Sequence, residues 1–242
     1  MNRQEFYRRQ YRRANPAWRD SVAIHRQLVE QRAGAGVRLL DIGCGHGDAL
    51  GPAYRASARA VGLDPDLRAL RRNEALGLKV GGDGGRLPFA NASFDVITLT
   101  WVLEHVRDPG PFLAELWRVL APGGQVVFLT PNAWNYNVWM IRAVPNRLHP
   151  LLTRRLYARQ EHDTYPVAYR INSAARIAAR FAAAGFTEEA LLTNGDPSYI
   201  SFTPWLFRLA CRIEAWLDRP RLRRARVHLI GVYSKAPSAG PR

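Results

Sequence analysis

The chain has 242 residues and a net charge of +15, a length that suits one α/β domain carrying insertions. No apolar run approaches the ~18–20 residues of a membrane span. The basic start Met1–Arg13 leads into no apolar segment, so a secretory signal is not expected. Two cysteines, Cys44 and Cys211, supply neither a disulfide framework nor a zinc-ligand spacing, and they fit a reducing cytoplasm. The basic balance favours an anionic partner: nucleic acid, lipid head groups or a phosphorylated molecule. Among the 35 basic residues only Lys79 and Lys235 are lysine. A GC-rich genome produces such an arginine bias, so charge alone does not select nucleic acid.

Arg3, Arg8, Arg9, Arg12 and Arg13 stand among Phe6, Tyr7 and Tyr11. Asn15-Pro16 reads as a helix start with Asn15 as its cap. Val22, Ile24, Leu28 and Val29 carry a helical stripe towards Arg32, and Gly34-Ala35-Gly36 ends it. The apolar run Val37–Ile42 then reads as a buried parallel strand. After Asp41, glycines recur at every second position: Gly43, Gly45 and Gly47, with Cys44 between the first two. Glycine lets the backbone turn sharply and lie against a ligand. A helix expected from near Asp48 would aim its free N–H groups at that ligand. The third glycine falls one residue early for the dinucleotide fingerprint G-x-G-x-x-G. An NAD dehydrogenase is therefore the last of the readings.

Arg59–Asp64 reads as the second strand. Asp64 follows Asp41 by 23 residues, where a carboxylate after such a loop accepts both ribose hydroxyls. Asp66 reads as the cap of a helix over Leu67–Leu76. A third strand runs from Leu78, and Asp83 follows it among four glycines, where a turn aspartate is the alternative to a ligand. Phe94–Thr100 reads as strand four. Pro109–Leu120 reads as an amphipathic helix closed by Ala121-Pro122-Gly123-Gly124, and Gln125–Thr130 as strand five.

Five motifs stand here in one order. They are Asp-x-Gly-x-Gly-x-Gly at 41–47, the acidic strand end at Asp64, and Gly-Asp with Leu-Pro-Phe and Ser-Phe-Asp over 82–95. Trp-Val-Leu-Glu-His-Val at 101–106 and Leu-x-Pro-Gly-Gly-x-x-x-Phe at 120–128 complete the set. Together they resemble the class I S-adenosylmethionine (SAM)-dependent methyltransferases over about residues 37–132. The resemblance implies a doubly wound, Rossmann-like α/β fold. Its seven-stranded sheet is mostly parallel, with helices on both faces and the last strand antiparallel. It implies SAM as cofactor, cradled by Asp41, Gly43, Cys44, Gly45 and Gly47. By the same resemblance Asp64 and Pro65 lie at the ribose, Asp83 and Gly84 at the adenine, and Thr100, Trp101 and the segment to His105 beside the methyl. Residues 1–36 are then a helical cover over the cofactor, or a solvated basic tail with a packing helix.

Residues 133–170 form a first insertion with Trp134, Tyr136, Trp139, Tyr157, Tyr165, Tyr169, His149 and His162. Its rings offer flat faces to a sugar or a quinone, or pack as core. Asn172 reads as the cap of a helix Ser173–Ala184. Phe186–Leu192 and Val227–Ser234 read as the last strands, with a second insertion over 194–226. The whole of 1–242 reads as one domain. Methyl transfer needs a nucleophile in line with the S–CH₃ bond at roughly 3–3.5 Å, and a hydroxyl acceptor gains from a base. His105 is the first candidate base. His162, beside Asp163, is the alternative, and a structural role stands against each.

Strand four ends in Thr100-Trp101 rather than Asn-Pro-Pro-Tyr, which disfavours amine methylation of bases, and no acidic cluster points to a metal. Thr-Pro-Asn at 130–132 followed by an aromatic, basic insertion resembles methyltransferases of bacterial glycan and lipid-linked saccharide assembly. The acceptor expected is a small molecule or glycan, methylated at oxygen. A quinone, RNA and a non-catalytic SAM-binding role are the alternatives. From Pro204, Trp205, Leu206, Leu209, Ile213, Trp216 and Leu217 fall on one helical face, with Arg208 and Arg212 nearer the other and arginines from 219 to 226 following. Such a helix lies in an anionic membrane interface at the inner face of the membrane, or packs on the domain or a dimer partner.

Overall fold

The computed structural model describes residues 2–47, 49–136 and 166–237. Seven strands form one sheet in the order β3-β2-β1-β4-β5-β7-β6. They are β1 (Arg38–Ile42), β2 (Arg59–Asp64), β3 (Leu78–Gly81), β4 (Phe94–Thr100), β5 (Leu120–Pro131), β6 (Thr187–Asn194) and β7 (His228–Ser234). β1 to β5 run parallel, and β7 runs antiparallel to both β5 and β6. This is the sheet the motif order implies.

The central strands read as unbroken apolar runs because both of their faces are covered. Leu39 and Leu40, neighbours in β1, are both fully buried on opposite faces. One face is packed by Val29 of α2 (Ser21–Glu30), Ala53 and Tyr54 of α3 (Gly51–Ala56), and Leu70 of α4 (Leu67–Arg72). The other is packed by Phe112, Leu113 and Leu116 of α5 (Pro109–Val119) and by Ile177 and Phe181 of α6 (Ala174–Ala183). A buried Leu or Phe contributes about 1.5–3 kcal/mol by leaving water, so these layers hold the sheet against its entropy cost.

Several boundaries differ from the sequence expectation. The basic leader is itself a helix, α1 (Arg3–Ala14), capped by Asn2. Asn15 closes it, donating its N–H to the Tyr11 carbonyl at 2.9 Å, and Pro16 cannot continue a helix. Asn15-Pro16 is thus a stop rather than a start. α2 begins beyond Asp20, whose Oδ1 accepts from Ala23 N at 2.8 Å. α3 starts at Gly51, later than Asp48, with Pro52 in its first turn. α4 ends at Arg72 rather than Leu76, because Asn73 Oδ1 captures the N–H groups of Ala75 and Leu76 at 3.1 and 3.2 Å. Ala121–Gly124 extend β5. Ser173, not Asn172, caps α6, and Asn172 turns towards the sheet edge.

The second insertion folds as a 3₁₀ turn (Pro197–Ile200), then α7 (Pro204–Leu217), then a short 3₁₀ turn (Arg223–Ala225). α1 packs on it, with the Tyr7 and Phe207 rings 4.8 Å apart and Arg8 paired to Asp196 at 2.7 Å. Among the described residues no helix is long and apolar enough to cross a membrane. The C-terminal ends of β1 to β5 share one edge with the end of β6 and the start of β7, since Pro131, His228 and Asn194 stand in register. In open α/β sheets ligands bind at this edge, where the strand order reverses. Here that place is between β1 and β4.

Candidate functional site

The glycine turn leaves β1 at this switch point. Gly43 and Gly45 have φ of +74° and +50°, a left-handed region in which side chains strain. A Cβ on Gly43 would strike the Val102 side chain, whereas a Cβ on Gly45 or Gly47 would meet nothing within 4 Å. The turn therefore borders open space.

Two carboxyls flank it. Asp64, 6% exposed, accepts from Gly45 N and from Asp66 N, both at 2.8 Å. Each of its oxygens has a second acceptor direction for a ligand hydroxyl. Asp41 is 3% exposed. Its Oδ2 accepts from the Tyr54 hydroxyl at 2.5 Å, while its Oδ1 is buried with no partner among the described residues. Burial pushes the Asp41 carboxyl up to about 7; Asp64 adds to this and the Tyr54 hydrogen bond opposes it. A buried polar oxygen without a donor costs about 1–3 kcal/mol, so this atom is poised for a cation or an N–H group.

Asn73, which the motif reading does not single out, holds the turn from behind. Fully buried, it donates from Nδ2 to the carbonyls of Gly45 and Gly47 at 3.1 and 3.3 Å. The sequence carries one faint signal of it, an asparagine interrupting the helical stripe of 67–76. The Cys44 side chain packs into the core beside Leu39 and Leu50. Burial, with help from Asp41 and Asp64, pushes its thiol up to about 12. Cys44 therefore offers a ligand only its backbone.

Pro65 is exposed beside Asp64. Asp83 is exposed too, and its Oδ1 accepts from Gly85 N at 2.9 Å, a turn aspartate's hydrogen bond. A Cβ on Gly84 would lie 2.7 Å from Phe112, so the missing side chain makes room for α5. Leu67, in the first turn of α4, stays 54% exposed.

Beyond β4, half-buried Thr100 leads into Trp101, whose φ of +60° is left-handed. For a bulky residue that conformation costs on the order of 1–3 kcal/mol. It is held by Trp101 N donating to the Leu129 carbonyl at 2.9 Å and by an edge contact with the His228 ring at 5.0 Å. His105 Nδ1 lies 3.1 Å from the Pro166 carbonyl. A carbonyl only accepts, so Nδ1 carries the proton and, in the neutral ring, Nε2 is the acceptor. Glu104 beside it is buried and accepts from Thr130 Oγ1 at 3.0 Å. Its carbonyl accepts from Ala168 N and Tyr169 N at 2.7 and 3.1 Å. In the amide orientation that satisfies both of its ends, Asn172 donates to the Leu103 carbonyl and accepts from Glu104 N, each at 3.2 Å. The exit of the first insertion is thus stitched to the turn that carries His105. His162 and Asp163 lie outside the described residues.

A second polar cluster stands at the same edge above β6 and β7. His228 is buried, with Nδ1 2.8 Å from Ser21 Oγ and Nε2 3.0 Å from the Tyr199 hydroxyl. Burial lowers its pKa to about 4, so it is neutral at physiological pH. Glu214 of α7 is buried and accepts on Oε1 from the Tyr136 hydroxyl at 2.9 Å and from Asp196 N at 3.1 Å. Burial pushes it up to about 7. Asn132, of Thr-Pro-Asn, donates to the Arg224 and Arg226 carbonyls at 2.7 and 2.8 Å, tying the second insertion to the end of β5.

The core that carries this turn is similar to known methyltransferases. A methyltransferase-domain family profile matches residues 40–128. A demethylmenaquinone methyltransferase from Renibacterium salmoninarum is 35% identical over 133 residues, covering 50% of this chain and 56% of its own. A ubiquinone biosynthesis O-methyltransferase from Maricaulis maris is 32% identical over 122 residues, covering 47% of this chain and 48% of its own. The chain thus spans about half the length of the curated relatives it matches. Among solved structures, a SAM-dependent methyltransferase from Mesorhizobium loti aligns at a TM-score of 0.56 and 18% identity over 87% of this chain and 95% of that one. Geranyl diphosphate C-methyltransferase from Streptomyces coelicolor aligns at 0.57 and 15% over 88% and 80%. These structural matches speak for the fold.

Proposed function

We propose that this chain, whose core is a class I SAM-dependent methyltransferase domain, transfers the methyl group to a hydroxyl oxygen of a small-molecule or lipid-linked glycan acceptor. The observation that carries the reading is the unpartnered Oδ1 of Asp41 beside Asp64, on either side of a turn without side chains. These groups fit an adenosyl sulfonium, which supplies an already electrophilic methyl. Asp41 meets the ammonium of the methionyl tail, and Asp64 takes the two ribose hydroxyls. Asp83 accepts from the adenine amino group, and exposed Leu67 offers an apolar wall to the base. Thr100 and Trp101 bound the methyl pocket.

Within that pocket the chain's task is to align the acceptor oxygen and remove its proton. The bound sulfonium would supply the methyl group and leave as the neutral thioether, and His105 Nε2 would take the proton of the acceptor hydroxyl. His162 or Asp163 of the first insertion is the alternative base. The reaction runs in a reducing cytoplasm, at the inner face of the membrane where lipid-linked acceptors lie. A quinol acceptor is the second reading, and the names of the relatives favour it.

Calorimetry with S-adenosylhomocysteine, followed by transfer of labelled methyl from SAM to saccharide lipids, quinols and RNA, tests the proposal. Heat with the product and label on a saccharide hydroxyl are expected. Label on a quinol or on RNA replaces the acceptor, and binding without turnover on the whole panel leaves a SAM-binding protein. Absence of heat, with tight binding of a nicotinamide dinucleotide, overturns the reading.

A further inference from the structure

α7 divides its side chains sharply. Ala210, Glu214 and Leu217 are buried against the rest of the chain. Trp205, Leu209 and Trp216 face outwards at 61, 41 and 52% exposure. Steps of four, three and four residues put Trp205, Leu209, Arg212 and Trp216 on one straight stripe, about 16 Å long at 1.5 Å per residue. Arg208 and Arg212 are exposed in and beside it. The sequence expectation is corrected on this point. Leu217 is turned away from the two tryptophans and the arginines are not opposite them, because the inner face of α7 is committed to the Glu214 cluster.

Charge on the outer face of the helix is of one sign. The helix has a single acid, Glu214, and it is turned inwards, 1% exposed. Beyond the helix, exposed Arg219, Arg221, Arg223 and Arg224 follow, where Asp218 pairs with Arg223 at 3.6 Å and Arg226 at 2.8 Å. Tryptophan and leucine with arginines at their rim are the chemistry of an anionic lipid interface. The rings and the leucine sit at the acyl boundary, and the arginine stems lie along them with their charge among head groups.

We infer that the outer stripe of α7 docks the protein on an anionic bilayer. A nucleic acid would use the arginines without needing Leu209, so the apolar stripe decides for lipid. The inference stands on α7 alone and holds whichever acceptor is methylated.

Flotation of the full chain with phosphatidylglycerol–phosphatidylcholine vesicles against pure phosphatidylcholine vesicles tests it. The protein should float with the anionic vesicles at low salt and stay behind with the neutral ones. Trp205→Ser with Trp216→Ser should weaken partitioning at least about tenfold. Arg208→Gln and Arg212→Gln should each weaken it about fivefold at low salt and little at high salt. S-adenosylhomocysteine affinity, read by calorimetry on the same proteins, should not change, which separates a failure of docking from a failure of the cofactor reading. No flotation at low salt overturns the inference. So does flotation indifferent to the tryptophan changes. A concentration-dependent dimer abolished by those changes, without vesicle binding, reassigns the stripe to a second copy of the chain. Tighter binding to single-stranded RNA than to vesicles, lost with the same tryptophans, reassigns it to RNA.

Discussion

Asp64 and Glu214 are both carboxyls buried at one edge of one sheet, and they are held in opposite ways. Asp64 takes the N–H groups of Gly45 and Asp66, 19 and 2 residues away. Glu214 takes the Asp196 N–H from 18 residues away but also the Tyr136 hydroxyl from 78, and around it Arg8 reaches Asp196 across 188 positions and Ser21 reaches His228 across 207. The cofactor side is thus built from neighbours within one βαβ unit. The cluster around Glu214 and His228 is built largely from side chains that only the finished fold brings together. The glycine turn should therefore tolerate changes elsewhere, while the second cluster depends on buried charge and close fit.

Four measurements break or sharpen that contrast. The largest effect belongs to Glu214. Its carboxyl is raised from 4.5 to about 7 by burial, so the folded state holds the proton more tightly than the unfolded one. Its contribution is present in full below the unfolded value and is lost as pH rises through the folded one, a span of about 3 kcal/mol. Denaturant titrations from pH 4 to 8 should show Glu214→Gln removing this share of the slope, with S-adenosylhomocysteine affinity unmoved. Next, a Cβ on Gly195 would run into the Glu214 carboxyl. Gly195→Ala should therefore destabilise the chain by about 2–3 kcal/mol, again without weakening the nucleoside at temperatures below melting.

On the cofactor side the pattern reverses. Asp64→Ala unpins Gly45 and, on the proposed function, removes the ribose acceptor. It should weaken S-adenosylhomocysteine about 30-fold, roughly 2 kcal/mol, at nearly constant melting temperature. Asn73→Ala frees both carbonyls of the glycine turn and should weaken the same ligand about fivefold, roughly 1 kcal/mol. If Glu214→Gln changes nucleoside affinity as much as Asp64→Ala does, the two sides are coupled and the contrast fails.

The same division governs what could be read without coordinates. Gly43, Gly45, Gly47 and Asp64 announce themselves through spacing, because the turn that joins them is local. The strand order follows from the motifs for the same reason. Asn73 and Asn172 act by reaching back to carbonyls and amides of other segments and Glu104 by taking the Thr130 hydroxyl, and no periodicity marks a residue for that. Asn15-Pro16 is ambiguous in sequence because the same pair that can open a helix also closes one, and the hydrogen bond that Ala23 N donates to Asp20 shows where the next begins. In sequence His228 is only a strand residue, since its partners Ser21 and Tyr199 come from distant parts of the chain.

The antiparallel course of β7 carries one last consequence. Because β6 ends and β7 begins at the edge where the five parallel strands also finish, any polypeptide spliced between them emerges on the same edge as the glycine turn, three strands along from β1, without stretching a single crossover. The hairpin is therefore a socket. On the proposed function, exchanging the 195–227 stretch for that of a relative asks whether this stretch chooses the acceptor while the Gly43–Gly47 turn stays as it is.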